Sequence, residues 1–139
     1  MKIPNLSCNI EVFCSINPSE DLQKIETAIF NIFPDIEINN NNMEIIGTSK
    51  NIESLSKIFE AVHNRRIKNT YRRILNQNLS ENSTWFYLNK QAAYVDVIAL
   101  CNEEDESPLG PIEIILDSQQ IEQVIDWLTS FTGNPRLTP

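Results

Sequence analysis

The stretch SCNIEVFCSI (residues 7–16) leads directly into NPSEDLQKIETAIFNIFP (residues 17–34). In the first segment apolar and polar residues alternate, which is typical of a half-buried β-strand. In the second segment the apolar residues recur at helical spacing, and a proline ends the pattern. Asn17 is predicted as the N-cap of this helix, with Glu20 completing a capping box. The predicted buried stripe of the helix consists of Leu22, Ile25, Ala28, Ile29 and Ile32.

The elements that follow predict an α+β fold. Two short alternating segments joined by the asparagines of residues 39–42 indicate a β-hairpin, and a helical pattern then runs from about residue 51 to residue 75. The order β-α-β-β-α-(α)-β-β-β-α predicts two layers, a mostly antiparallel sheet with helices packed on one face. Three later segments are predicted as strands, and a last helix is predicted to begin at Asp117 or Ser118. The strand segments are TWFYLNK (84–90), AYVDVIALC (93–101) and IEIIL (112–116).

Length and composition are typical of one globular domain. The chain has 139 residues, of which 41% are hydrophobic and 22% charged, so we expect a single α+β domain over residues 1–139. Its ends are expected to fray at about residues 1–6 and 133–139. No apolar run approaches the roughly 20 residues that span a bilayer, and no signal-peptide pattern is present, so we expect a cytoplasmic protein without a membrane partner. The cysteines are interpreted as buried apolar side chains; they are Cys8, Cys14 and Cys101.

The positive charges are concentrated in one segment, although the formal net charge of the chain is -8. HNRRIKNTYRRIL (residues 63–75) contains five of the eleven Lys and Arg residues. At 100° per residue these cations lie on one side of a helix and the apolar residues on the other. Such a ridge can bind the phosphates of RNA or DNA, pair with the protein's own carboxylates, or contact a protein partner. The predicted basic ridge consists of Arg65, Arg66, Lys68, Arg72 and Arg73.

Carboxylates recur along the predicted strands and give one face of the sheet an acidic character. A solvated or partner-covered face is the favoured interpretation; an acid–base pair or a divalent-cation site is the alternative. An acidic sheet disfavours the binding mode in which RNA bases stack on sheet aromatics beside positive charge. The chain has only three glycines and no phosphate-loop or nucleophile motif, so we expect no enzymatic activity, no cofactor and no metal. The carboxylates on the predicted strands are Glu11, Glu37, Glu44, Glu113 and Asp96.

Two segments of the C-terminal half, FYLNKQAAYVD (86–96) and ESPLGPIEI (106–114), together with IDWL (125–128), resemble an uncharacterised archaeal protein family. Its members are described as predicted RNA-binding or exosome-associated proteins. The N-terminal pattern is similar as well, so the resemblance covers roughly residues 7–130. It implies a fold similar to that of the ribosomal protein L-five, no known catalysis and frequent dimerisation. The family motif falls on Leu88, Asn89, Lys90, Gln91, Ala92, Ala93, Ser107, Pro108, Leu109, Gly110 and Pro111.

Most of these motif residues are interpreted as structural. The small side chains of Ala92 and Ala93 allow another backbone to approach closely, and a rigid turn is expected at Leu109–Pro111. Lys90 is the only basic residue of the motif, and it is added to the predicted nucleic-acid-binding residues.

The sequence therefore predicts a non-enzymatic protein that binds RNA, or associates with protein components of an RNA-processing complex, through the basic ridge. The alternative is an interaction or scaffold module that uses the sheet face and the acidic loop at Glu103–Glu106, with no nucleic-acid binding. A homodimer is also expected, because one helical layer cannot cover both faces of a sheet this rich in large side chains. The aromatic residues expected at the surface of one chain, where a second copy would cover them, are Phe13, Trp85, Tyr87 and Trp127.

Overall fold

The computed structural model describes residues 3–41, 43–64, 67–101 and 109–130. Within these ranges the chain forms six β-strands and five α-helices. The strands are β1 (Asn9–Ser15), β2 (Glu37–Asn40), β3 (Glu44–Ser49), β4 (Ser83–Leu88), β5 (Leu100–Cys101) and β6 (Ile112–Asp117). The helices are α1 (Leu22–Ile32), α2 (Ser56–Asn64), α3 (Lys68–Gln77), α4 (Lys90–Tyr94) and α5 (Ile121–Thr129), and a 3-10 turn, Ile52–Leu55, precedes α2.

The strands form one antiparallel sheet in the order β2-β3-β1-β6-β4-β5. Strand β1 is central: Val12 lies opposite Gly47 of β3 on one side and opposite Ile114 of β6 on the other. The predicted α+β class and the predicted hairpin are confirmed, the hairpin as the pair β2–β3. The likeness to the ribosomal protein L-five stays a prediction.

One hydrophobic core lies between the sheet and the helices. Alternate residues of the strands point into it, and the apolar stripes of the helices cover them. On β1 the core side chains are Ile10, Val12 and Cys14, each at most 1% exposed. The three cysteines are buried and free, in agreement with their interpretation as buried apolar side chains. Leu6, before β1, also packs against this core.

Helix α1 begins four residues later than the predicted position of its first turn. Asp21 is the N-cap, and its carboxylate accepts a hydrogen bond from the backbone N–H of Gln23 at 3.0 Å. The carboxylate of Glu20 does accept from the backbone N–H of Asn17 at 2.9 Å, as in a capping box. This contact closes a separate turn before the helix, and the prediction of Asn17 as the N-cap was therefore wrong. The start of α5 is shifted as well, to Ile121.

The predicted strand AYVDVIALC was also wrong over most of its length. Residues 90–94 form α4, and only Leu100 and Cys101 pair with β4. The helix ends in a Schellman motif, in which the N–H of Val97 bonds to the Ala92 carbonyl and the N–H of Asp96 to the Ala93 carbonyl. Asp96 has φ 64°, the left-handed conformation that this motif requires. Asp96 is thus a helix terminator and not part of the acidic sheet.

Candidate nucleic-acid interface

Helix α3 carries the residues of the basic ridge that the structure describes. Lys68 and Arg72 are four positions apart and therefore share one side of the helix, and Arg73 lies next to them at an exposed position. The predicted residues Arg65 and Arg66 lie outside the described residues, between α2 and α3. The apolar stripe anchors the helix, so the cations face outward. Its buried members are Tyr71, Ile74 and Leu75.

Arg72 is already engaged within the chain. Its guanidinium donates to a carboxylate oxygen of Asp126 at 2.5 Å and to the hydroxyl of Thr129 at 3.1 Å, both on α5. The side chains of Arg72 and Asp126 are 43% and 62% exposed, so water and salt screen this pair and it contributes about 0–1 kcal/mol. Of the alternatives for the ridge, intramolecular pairing is thus present at Arg72.

Arg73 presents its charge differently. Its side chain is exposed, and within the described part of the chain it forms no hydrogen bond or ion pair. A phosphate could bind its guanidinium without first displacing a carboxylate of the protein. Within the described part of the predicted ridge, Arg73 thus differs from Arg72, whose guanidinium is paired with Asp126.

An aromatic stack lies beside these cations. The ring of His63 stacks on Phe59 at a centroid distance of 4.0 Å, and Phe59 stacks on Trp127 of α5 at 4.9 Å. Burial lowers the pKa of His63 below its usual range, and the charge of Lys68 lowers it further; a hydrogen bond with the Leu128 backbone acts in the opposite direction. The neutral imidazole is thus favoured, and His63 adds no positive charge to this surface at neutral pH.

Lys90, the remaining cation predicted to contact nucleic acid, is only 3% exposed. Its ammonium donates to the carboxylate of Glu20 at 3.0 and 3.1 Å and to the backbone carbonyls of Ser15 and Leu109 at 2.9 and 2.8 Å. An ammonium group has three hydrogens, so these acceptors use its full donor capacity. A phosphate could not reach Lys90 unless these bonds broke. The structure therefore corrects the prediction that Lys90 contacts nucleic acid.

The other described motif residues build the surroundings of Lys90. Asn89 is the N-cap of α4, and its side-chain oxygen accepts from the N–H of Ala92 at 2.8 Å. Ala93 is buried, and its carbonyl accepts from the side chain of Asn31 on α1 at 2.9 Å, which is the close approach that a small residue permits. Gly110 has φ +87°, so the predicted turn requires glycine there. Ser107 and Pro108 lie outside the described residues. For Gln91, whose side chain is exposed, the structural interpretation stays a prediction. The other described members fit it: Leu88, Asn89, Ala92, Ala93, Leu109, Gly110 and Pro111.

The chemistry around Lys90 is that of a structural ion pair. Burial by itself would raise the pKa of Glu20, but hydrogen bonds from Asn17 and Lys90 and the charge of Lys90 outweigh it, and the pKa lies below its usual range. Burial raises the pKa of the neighbouring Cys14 thiol to about 11, although the charge of Lys90 opposes this shift. The thiol therefore stays protonated at neutral pH and is a poor nucleophile.

The strands have the opposite charge from α3. They contain five carboxylates and no Lys or Arg. Among the described residues, no group of three or more His, Cys, Asp or Glu side chains is arranged to hold a metal ion. In the same part of the chain, every helix is too short or too polar to cross a membrane. The strand carboxylates are Glu11, Glu37, Glu44 and Glu113, which the sequence predicted, and Asp117.

Two contacts that shape this site could not be predicted from spacing. Asp126 neutralises Arg72, yet the two residues are 54 positions apart in sequence. Glu20 pairs with Lys90 across 70 positions. The one local signal that was available is Asn89, a favourable N-cap residue followed by the helix-forming residues Lys90–Ala93. That signal predicts α4 instead of a strand.

Comparison with known proteins places this geometry in context. A family model described as RNA binding matches residues 9–118 of the chain. The chain is similar to a UPF0201 protein of Methanothermobacter thermautotrophicus, with 39% identity over 126 residues that cover 91% of this chain and 94% of that protein. A UPF0201 protein of Saccharolobus solfataricus is 31% identical over 129 residues, which cover 90% and 89% of the two chains.

The fold is similar to that of solved structures as well. A crystal structure of a UPF0201 protein from Methanococcus jannaschii superimposes with a TM-score of 0.75 at 28% sequence identity. The match covers 91% of this chain and 96% of that chain. The similarity therefore extends over nearly the whole domain and is not confined to one motif.

Proposed function

The chain belongs to the UPF0201 family of archaeal proteins, and from that premise we propose that it is a non-enzymatic RNA-binding protein whose RNA contacts lie on α3. The observation that carries the proposal is the match to the family model described as RNA binding, which spans residues 9–118 and so includes all of α3. The model's description applies to the family as a whole. Which surface serves RNA is inferred from the charges.

The distribution of charge favours α3 as that surface. Helix α3 has three cations and no carboxylate in its ten residues, whereas the six strands have five carboxylates and no cation. RNA phosphates are attracted to the first surface and repelled by the second. Arg73 would supply the main contact, Lys68 would add its charge from the same helix, and Arg72 would contribute after exchanging its exposed Asp126 partner for a phosphate. Arg65 and Arg66, which precede α3 in sequence and lie outside the described residues, stay part of the predicted RNA-binding set.

The net charge limits the kind of binding to expect. A protein with a formal net charge of -8 is repelled by nucleic acid as a whole, so RNA binds only where cations are concentrated. We therefore expect selective contact with a structured RNA and no general coating of nucleic acids.

The proposal is tested by exchanging one exposed cation. Arg73→Gln should weaken binding of a fluorescently labelled RNA hairpin, measured by anisotropy. It should also reduce the slope of log K against log salt concentration by about 1, since one phosphate contact is lost. Adding Lys68→Gln should reduce the slope further.

The matched control is Lys50→Gln, which removes one exposed positive charge from a loop between β3 and the 3-10 turn. It changes the net charge by the same amount and should leave the slope unchanged. A salt-independent affinity in the wild-type protein, or equal losses in the Arg73 and Lys50 variants, would contradict an RNA surface on α3.

The assembly state of the protein and its protein partners are a separate part of the proposal. A homodimer and association with proteins of an RNA-processing complex are expected from the sequence, and we keep both as proposals. Sedimentation equilibrium at micromolar concentration measures the first of them. A mass near 16.0 kDa, that of one chain, would contradict the homodimer.

A further inference from the structure

The face of the sheet away from the core carries a row of side chains in which a carboxylate lies between two aromatic rings. The register places Glu113 of β6 directly opposite Phe13 of β1 on one side and Tyr87 of β4 on the other. Phe13 is in turn opposite Ile46 of β3. Residues opposed in this way share a face, with Cβ atoms about 5 Å apart. All four side chains remain partly exposed.

A depression of about 630 Å³ opens at this row. Phe13, Tyr87 and Glu113 line it, together with Met43, which is 76% exposed, and a second carboxylate, Glu44. Its described lining residues include two carboxylates and no Lys or Arg, so their formal charge is -2. In the described part of the chain, aromatic rings and carboxylates thus surround a concave surface of negative formal charge.

The surrounding face continues the same character. The ring of Trp85 lies 5.0 Å from that of Tyr87, tilted by 54°, and both are partly exposed. Glu11 adds a carboxylate in the next row, opposite Ile115. Partly exposed large side chains in contact with one another are typical of binding surfaces.

We propose that this depression binds an arginine or lysine side chain from a basic segment of a partner polypeptide. A guanidinium or ammonium placed over the row would meet the carboxylate of Glu113 and the faces of Phe13 and Tyr87 at once. Aromatic faces attract cations through their quadrupole, and the nearby carboxylates add direct attraction. The neighbouring apolar surface would pack against the aliphatic part of the same side chain.

Two other occupants fit the charges less well. RNA would bring phosphates against Glu11, Glu44 and Glu113, and like charges repel. A second copy of the chain, paired through the same face, would bring the same three carboxylates close to their own equivalents. Such a pairing needs cations on the facing surface, and the strands have none. Charge complementarity therefore favours a basic polypeptide.

This inference is independent of RNA binding by α3. The two surfaces share no residue, so either proposal can fail while the other holds. A protein with both would connect a basic polypeptide to an RNA, and each partner would contact the surface of opposite charge.

An oligo-arginine peptide labelled with a fluorophore is the probe, and anisotropy gives its affinity. Glu113→Gln, which keeps the shape of the side chain, should weaken binding by about threefold. Tyr87→Leu, which keeps an apolar side chain but removes the ring, should also weaken it by about threefold. Combining the two should weaken it more than either alone.

The control is Glu60→Gln, which removes one exposed carboxylate from α2 and changes the net charge by the same amount. Equal losses in the Glu60 and Glu113 variants would show general attraction to an acidic protein and would overturn the site. Unchanged affinity in Tyr87→Leu would also overturn it, since the ring would then play no part.

Sedimentation equilibrium, which measures the assembly state, tests whether a second copy of the chain occupies this face instead. If the wild-type protein is a dimer and Phe13→Glu is a monomer, a second copy covers this face and the proposal is overturned. If Phe13→Glu leaves the assembly state unchanged, the face is open to a partner, as proposed.

Discussion

Helix α3 and the sheet enclose the same core. The outer side of α3 and the open face of the sheet, which is the face that points away from the core, carry opposite charge. On α3 the three cations Lys68, Arg72 and Arg73 occur without any carboxylate. On the strands the carboxylates occur without any cation. A protein with a net charge of -8 could distribute its few cations evenly, and this one does not. The separation creates two surfaces that attract different kinds of partner.

Strand β4 connects the two surfaces. Its core-facing residue Thr84 donates a hydrogen bond at 2.6 Å to the Leu75 carbonyl of α3, and Phe86 contacts Tyr71 of α3 edge to face at 5.8 Å. The alternate residues, Trp85 and Tyr87, point to the open face. Alternate residues of β4 point to opposite faces of the sheet. One set therefore packs against the basic helix α3, and the other set places aromatic rings on the acidic open face.

The largest expected effect comes from Lys90, a buried cation that belongs to neither surface. Lys90→Met leaves the carboxylate of Glu20 buried without its counter-charge, and breaking such a buried pair costs about 3–5 kcal/mol of unfolding free energy. Urea unfolding measures the change. The comparison variant Arg73→Met, on exposed α3 surface, should change stability by about 0.5 kcal/mol or less.

A second variant sharpens this result. In Lys90→Met combined with Glu20→Gln no buried charge is left unpaired, so the double variant should be more stable than Lys90→Met alone. Equal stability of Lys90→Met and the wild-type protein would contradict the buried pair. It would also return Lys90 to the set of cations available to RNA.

A smaller effect on the free energy of unfolding is expected at His63, whose pKa is lowered in part by Lys68 of α3. Because burial and Lys68 lower the pKa of His63 in the folded protein, the unfolded chain binds this proton more readily. The contribution of His63 to stability is therefore fully present above its unfolded pKa of 6.5 and decreases as pH falls below that value. Urea midpoints measured across this range should decline in the wild-type protein and decline less in His63→Gln.

The role of Lys68 in that shift can be measured directly. In Lys68→Gln the positive charge beside the imidazole is gone, so an NMR titration should give a higher pKa for His63 than in the wild-type protein. An unchanged pKa would mean that the charge of Lys68 plays no part in the shift. The effect of Glu20 on the urea midpoints falls in a different pH range from that of His63. The pKa of Glu20 is lowered from 4.5, so its contribution to stability is lost only at lower pH.

Local patterns predicted much of the fold because the relevant forces act over short sequence distances. Alternation along β1 and β4 predicted which residues face the core, and the stripe of α1 predicted Ile25, Ala28, Ile29 and Ile32 as buried. The prediction was wrong for Leu22, the first residue of that stripe, which is 36% exposed at the start of the helix. Boundaries were predicted less well. Asn17 and Asp21 are both favourable caps, and the sequence does not show which of them opens the helix, since the turn at Asn17 depends on Glu20 and its distant partner Lys90.

The candidate site was harder to predict than the fold. The cations of α3 are apparent from the sequence, but the contact of Arg72 with Asp126 depends on how α3 packs on α5. The burial of Lys90 depends on three segments that meet only in the folded chain, around Ser15, Glu20 and Leu109. The open face could be predicted as acidic from strand alternation, whereas the placement of Glu113 between Phe13 and Tyr87 required the strand order β1-β6-β4.

The separation of the two surfaces is tested most directly by mapping both probes on one isotopically labelled sample. In two-dimensional NMR spectra of the backbone amides, an RNA hairpin should shift resonances of α3 and leave those of β1, β4 and β6 unchanged. The oligo-arginine peptide should shift resonances around Phe13, Tyr87 and Glu113 and leave α3 unchanged. Overlapping sets of shifted resonances, or RNA shifts centred on the strands, would contradict two oppositely charged surfaces with separate partners.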